Sequence, residues 1–262
     1  MEFTRGPEYK LNPEVSIGPL LTEAVRTQAT AMGFKPATDA EPGWHLSGTV
    51  REAYLESRQV PYGATLFYGY MSVELQLRNQ TGSQVTVPMR LHNYFSAFNA
   101  GLGRRDEAES GAAQVLVDGA QELLARLNRE HFHAPPNPAL RSTITAIQAG
   151  TVEDHPAELR AIGLSGVDTA VPALAAILPD EPTEGGRVAI IDALAILGSP
   201  DVVATLTSRY ENEEEDCRWY TLKALDYIGT DEALEFVRST GLDDDDSGPE
   251  RLAQRIVKGS EH

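Results

Sequence analysis

The sequence predicts an α+β N-terminal domain, an antiparallel sheet with two helices on one face, followed by an all-α solenoid of helical repeats. Three features predict it. In the first half the apolar spacing switches from a period near 3.6 to a period near 2 and back again. The second half repeats itself at about 31 to 32 residues, and HAPPNPAL, with three prolines, separates the two patterns. The expected organisation is an α+β domain over residues 1–132, a proline-rich linker over 133–140, and helical repeats with terminal caps over 141–262.

The first helix is expected from about Ser16 to Met32, where Leu20, Leu21, Ala24, Val25 and Met32 form one stripe and Gly33 stands in the usual stop position. Residues before Pro13 are expected to add a short edge strand. WHLSGTVREAYLES and LFYGYMSVELQLRN then read as strands; Met71, Val73, Leu75 and Leu77 alternate with polar neighbours. Thr81, Gly82 and Ser83 form a turn into QVTVPMRLHNYFSAF, which closes a long hairpin. Pro88 suits an edge strand or a bulge. NAGLGRRDEAESG is expected to be a loop, followed by a helix carrying Val115, Leu116, Gly119, Leu123, Leu124 and Leu127 on one face. Helices on one side of the sheet bury both stripes.

Beyond the prolines, LSGVDTAVPAL, ILGSPDVVATL and YIGTDEALEFV place Gly166, Gly198 and Gly229 in register. Each copy reads as a helix ending at a glycine, a short turn with an Asp, and a second helix. Arg187 and Arg218 align near the starts of first helices. One helix pair cannot bury its apolar faces alone, so the copies must stack. STITAIQAG and GPERLAQRIV are the expected caps. Leu174, Leu206 and Val237 should then be equivalent buried positions.

The formal net charge is -17, and it is unevenly spread: 12 basic and 15 acidic residues precede Pro135, against 10 and 24 after it. Nucleic acid and anionic membrane surfaces are therefore disfavoured, because both are held through clustered Lys and Arg. A basic protein or peptide suits the acidic half. No stretch approaches the ~18 apolar residues of a membrane span, and MEFTRGPEYK shows no signal pattern. The single cysteine, Cys217, excludes an internal disulfide.

No catalytic, cofactor or metal residue is assigned. Ser165 in GLSGV sits where the other copies place Leu197 and Ile228, which marks a turn of the repeat. His131 and His133 lack a third ligand nearby and read as unpaired surface histidines. His45 and His92, both in strands, read as structural. GLGRRD lacks the third glycine of a dinucleotide loop. Asp243, Asp245, Ser247 and Gly248 fall on calcium-loop positions, yet Gln254 stands where the bidentate Glu belongs, so the segment reads as an acidic linker into a capped helix. ENEEED reads as the acidic start of the third copy's first helix. The candidate partner-binding residues are Glu213, Glu214 and Glu215, with Arg104 and Arg105.

The copies, ALAILGSPDVV above all, resemble the HEAT-like repeats of bacterial proteins, including those related to phycobilin lyase subunits, over about residues 155–240. That resemblance implies a scaffold or partner-binding surface. The helix LLTEAVRTQATAMGF, the strands LSGTVREAYLES and GYMSVELQLRN, and the helix AAQVLVDGAQELLARL resemble the YajG-type bacterial envelope lipoproteins, over about residues 8–132. This implies a periplasm-facing domain attached to the outer membrane, although no lipobox cysteine or signal is visible here and the family carries no repeat array. The expectation is a non-catalytic scaffold or adaptor at the periplasmic face of the cell envelope, binding a protein or peptide through its repeats. The alternatives are an enzyme built around His131, His133 and nearby carboxylates at the domain interface, and a cytoplasmic adaptor.

Overall fold

A computed structural model describes residues 5–9, 17–31, 34, 43–59, 64–79, 82–98, 104–133, 145–146, 156–240 and 248–259. The chain divides into two compact units, Met1–Leu124 and Ala125–His262.

In the first unit, β1 (Arg5–Tyr9), β2 (His45–Gln59), β3 (Ala64–Arg78) and β4 (Gln84–Phe98) form an antiparallel sheet in the order β1-β2-β3-β4. The short edge strand expected before Pro13 is β1, which pairs with β2 near Leu55, Glu56 and Arg58. The hairpin of β3 and β4 is in register from Ala64↔Phe98 to Arg78↔Gln84. Asn79 organises its turn: its Oδ1 accepts from the Ser83 N–H at 2.9 Å. β4 is an edge strand, where the missing N–H of Pro88 is tolerated.

Two helices, α1 (Ile17–Ala31) and α2 (Arg104–Leu127), accompany the sheet. Met71, Val73, Leu75, Leu77, Val87, Met89 and Leu91 are buried, as the alternation requires. The helices touch through Gln121, whose Nε2 donates to Gln28 Oε1 at 3.2 Å. Asn93 and Glu122, both buried, satisfy each other between β4 and α2 at 3.1 Å.

Two expectations need correction here. Leu20 is 48% exposed while Leu21 is buried, so the apolar stripe of α1 is narrower than its spacing suggests. Arg104 and Arg105 stand in the first turn of α2, not in a loop, because that segment has neither proline nor β-branched residues to oppose a helix; their side chains lie outside the described residues. His45 pairs with Arg78 and His92 with Tyr70, and His92 is buried.

The second unit stacks seven helices among the described residues: α3 (Pro156–Ser165), α4 (Val171–Ile177), α5 (Glu184–Leu197), α6 (Val203–Arg209), α7 (Glu215–Ile228), α8 (Asp231–Thr240) and α9 (Gly248–Gly259). α3, α5 and α7 are the first helices of successive copies and pack side by side; α4, α6 and α8 are the second. Gly166, Gly198 and Gly229 have φ of 67, 59 and 67°. A left-handed residue is what ends a helix tightly, and glycine adopts it without steric cost. Leu174, Leu206 and Val237 are each at most 1% exposed, as the register predicts.

α5 is buried almost all round, being packed between α3 and α7. It sits closest to α3 at Gly163, where an added Cβ would lie 2.9 Å from Ala193 Cα, so only hydrogen fits there. α9 packs on α7 and α8 and buries Leu252, Ala253 and Ile256, which makes it the C-terminal cap. At the other end only Thr145 and Ala146 of the expected cap are described, and they are helical. The acidic loop before Gly248 lies outside the described residues.

The division between the units falls inside α2, N-terminal to the 133–140 linker expected from sequence. The reason lies in the second unit. One turn of π-helix, Asn128–Phe132, ends α2, and Arg129 packs against the turns at Gly166 and Gly198. Those residues therefore belong with the repeats. His133 ends the π-turn at φ 52°, and 134–140 lie outside the described residues.

Candidate functional site

The glycine register carries a second column of residues. Arg160, Asp192 and Lys223 are spaced by the same 32 and 31 residues as the glycines, one on each first helix. Asp192 joins them: its Oδ2 accepts from Arg160 Nη1 at 2.5 Å and its Oδ1 from Lys223 Nζ at 2.8 Å. Asp192 is 6% and Lys223 1% exposed. Burial pushes the Asp192 carboxyl up, but the Lys223 ammonium and Arg160 guanidinium outweigh it and hold the group below its ordinary value. Tyr220 and Tyr227 lie one turn to either side on α7, each ring centroid 5.4 Å from Lys223 Nζ. Two aromatic faces thus supplement the Asp192 carboxylate. The column is an ionic tie across three repeats, with both Asp192 oxygens committed to it. Aligning the copies on Gly166, Gly198 and Gly229 brings these three residues into one column, so the signal was present in the sequence.

Arg187 and Arg218, aligned by the same register, play matching parts. Arg187 on α5 donates from Nε to Glu213 Oε2 at 2.9 Å and from Nη2 to Glu214, both just before α7. Arg218 on α7 lies 3.9 Å from Glu250 on α9. Each arginine reaches forward to an acid of the next element in the stack. Hydrogen bonding to Glu214 and Glu213 raises the Arg187 pKa further above its already high value.

This geometry redefines the acidic candidates. ENEEED is only partly the start of a helix, since Tyr210–Asn212 form a 3-10 turn and α7 begins at Glu215. The Glu213 side chain is 4% exposed and is shared between Arg187 and Arg209, whose Nη2 lies 2.7 Å away. Glu214 is half exposed, and the hydrogen bond from Arg187 holds its carboxyl below the usual range. Glu215 accepts from the Gly248 N–H at 3.4 Å. Of the three, Glu214 presents most surface to solvent.

Glu213, Glu214 and Cys217 bring ligand-type atoms within 4.8 Å of one another. They fit a metal poorly. Arg187 already holds both carboxylates, and burial, aided by the charge of Glu213, pushes the Cys217 thiol up to about 12, so it keeps its proton at neutral pH. His131 is partly buried and lies 4.0 Å from Glu130, which corrects its reading as an unpaired surface residue. Ser165 is a turn residue: its Oγ donates to the Ile162 carbonyl at 2.6 Å.

Asp216, on the first turn of α7, is shifted the other way. Burial, with the charges of Glu184 and Glu215, raises it to about 6. A folded value above the unfolded one, about 4, means that the folded state holds the proton more tightly. Its contribution therefore favours folding below about pH 4 and is lost as pH rises through about 6. Asp216→Asn is expected to stabilise the chain at pH 8 by roughly 1 kcal/mol, after discounting the full shift for solvent screening, and to give no gain at pH 4. Urea titrations at the two pH values check this.

The cations of the repeats are largely committed to internal pairs, as at Arg160, Arg187, Arg209, Arg218 and Lys223. Acids at the starts of the second helices are not: Asp168, Asp201, Asp231 and Glu232 are exposed. Each copy carries at least one, so the surface at these helix starts is acidic along the stack.

No curated protein matches this chain. Among solved structures the chain is similar to a minor lipoprotein from Acinetobacter baumannii, with 19% identity and a TM-score of 0.30, over 42% of this chain and 83% of that one. A superposition this loose bears on neither fold nor role. A family model for HEAT repeats matches residues 171–255, which contain α4 to α8 and most of α9. With its register glycines, stacked first helices and buried second-helix positions, the second unit is a HEAT-like repeat stack.

Proposed function

We propose that the protein is a non-catalytic scaffold or adaptor, placed at the periplasmic face of the cell envelope, that binds a basic protein or peptide segment through its helical repeats. One observation carries the reading: the stack commits most of its described cations to internal ion pairs and leaves acids exposed at the start of each second helix. HEAT repeats generally serve as protein-binding scaffolds, and an extended surface of one sign steers an oppositely charged partner. The envelope placement is supported by the resemblance of residues 8–132 to the YajG-type lipoproteins. No helix among the described residues is long and apolar enough to cross a membrane. Asp201, Asp231 and Glu232 are the proposed contact set; Glu214, half exposed at the opposite end of α7 and held by Arg187, is proposed as a second contact with Glu213 and Glu215 supporting it from within, and Arg104 and Arg105 as a separate minor contact.

The test uses lysine-rich and glutamate-rich peptides of equal length, titrated into the full chain at low and high salt. The lysine-rich peptide is expected to bind, with an association rate that falls as salt rises. Asp201→Asn with Asp231→Asn and Glu232→Gln should slow association more than it speeds dissociation. Equal binding of both peptides, or rates indifferent to salt and to these substitutions, would refute the acidic surface as the binding face.

A further inference from the structure

The first unit has an open strand edge. β1 pairs with β2 only near Leu55, Glu56 and Arg58, so over residues 46–53 the side of β2 turned away from β3 meets no other strand among the described residues. In an antiparallel pair every second residue directs its N–H and C=O away from the partner strand. Those of this stretch have no backbone partner among the described residues. Edges are usually blunted by lysine, proline or another charge. The opposite edge, β4, carries Pro88, whereas residues 46–50, LSGTV, contain neither proline nor a charge.

A space of about 850 Å³ runs along that edge between β2 and α1, and every residue from 46 to 53 lines it. Successive side chains of a strand point to opposite faces, so lining by all of them means that the space reaches the edge itself and not one face alone. Its wall is mixed. Leu21 and Val25 of α1 stand beside Thr22 and Thr30, and Ser47 and Thr49 of β2 are exposed. Gly48 pairs with Leu75, and a Cβ there would fall 2.8 Å from Leu75 Cδ2. With no side chain on Gly48, Leu75 of β3 reaches over it to line the space. The edge therefore shows an apolar gap on the face of Leu75, hydroxyls on the other face, and backbone donors and acceptors between them.

That combination matches another strand, which supplies main-chain hydrogen bonds along the edge and sends its side chains alternately to the two faces. We propose that residues 46–50 of β2 bind an extended, uncharged peptide segment of a partner protein as an added strand, with aliphatic side chains turned toward Leu21, Val25 and Leu75 and small polar ones between them. Five residues make an ordinary ladder, about 17 Å long. The register shift between Val50 and Glu52 closes it at one end, and the added strand continues the row that β1 occupies at Leu55. The site is independent of the acidic helix starts of the repeats, and an uncharged probe keeps the two apart.

The probe is a short blocked peptide alternating valine with threonine, titrated into the full chain by calorimetry together with two N-methylated forms, one methylated at every valine amide and the other at every threonine amide. N–H direction alternates along a strand, so all donors facing β2 belong to one residue type. The unmodified peptide is expected to bind at one site and to slow hydrogen exchange in residues 46–50 but not in β4. One methylated form should bind about tenfold more weakly or worse, having lost its hydrogen bonds to the edge, while the other keeps most of its affinity. Thr22→Trp, at an exposed position of α1 that borders the space, should weaken the unmodified peptide while the chain keeps the parent circular dichroism; if that spectrum is lost, the methylated pair alone decides. No binding of the unmodified peptide, equal binding of the two methylated forms, or protection appearing in β4 instead would overturn the proposal.

Discussion

Asp192→Asn is expected to destabilise the protein by about 3–5 kcal/mol, the cost of leaving a buried cation without its counter-charge. Lys223 is 1% exposed, so an amide in place of the carboxylate takes a counter-charge from a buried ammonium that lies beside the rings of Tyr220 and Tyr227. The loss should appear in urea titrations as a lower midpoint with an unchanged slope. It should also depend on pH. The folded value of Asp192 is depressed, so its contribution is present above the unfolded value, about 4, and is lost as pH falls through the folded value. The gap between parent and variant should therefore narrow in acid. Replacing the pair together, Asp192→Leu with Lys223→Met, should recover most of the loss, since a well-packed apolar pair often matches a buried ionic one. A loss below about 1 kcal/mol for Asp192→Asn would mean that the column does not tie the repeats together.

Leu206→Ala is expected to cost about 2–5 kcal/mol, from lost transfer energy and the cavity left behind. Leu206 is 1% exposed on α6, in the middle copy, and belongs to a core cluster shared with Leu174 of the preceding copy and Ala224 of the following one. In a stack stabilised by nearest-neighbour contacts, weakening the middle copy also removes support from its flanks. Thermal unfolding should therefore broaden as well as shift, and a sharp transition at the parent midpoint would contradict the assigned core position. Val237→Ala, at the equivalent place in the last copy, removes less and should cost less.

Most of the fold was legible because periodicity reports faces. The alternation through Met71, Val73, Leu75 and Leu77 named the buried side of β3, and the glycines named the repeat ends. Charge was harder to read. Whether Glu213 faces solvent depends on Arg187, 26 residues away in sequence, folding back to meet it, and no local pattern records that distance. The start of α2 was misread because GLGRRD contains turn-forming glycines, which say where a loop can begin but not that it ends at Arg104. The Arg160, Asp192 and Lys223 column lay in the alignment, yet its meaning required knowing that first helices stack on one another.

That column also constrains how such a gene can change in length. Its signs alternate from copy to copy, so excising the middle copy would bring Arg160 against the buried Lys223, two like charges with no carboxylate of this column between them. Unequal recombination can gain or lose copies cheaply only in pairs, or with a compensating charge change at this position. The ionic tie thus acts as a parity check on repeat number.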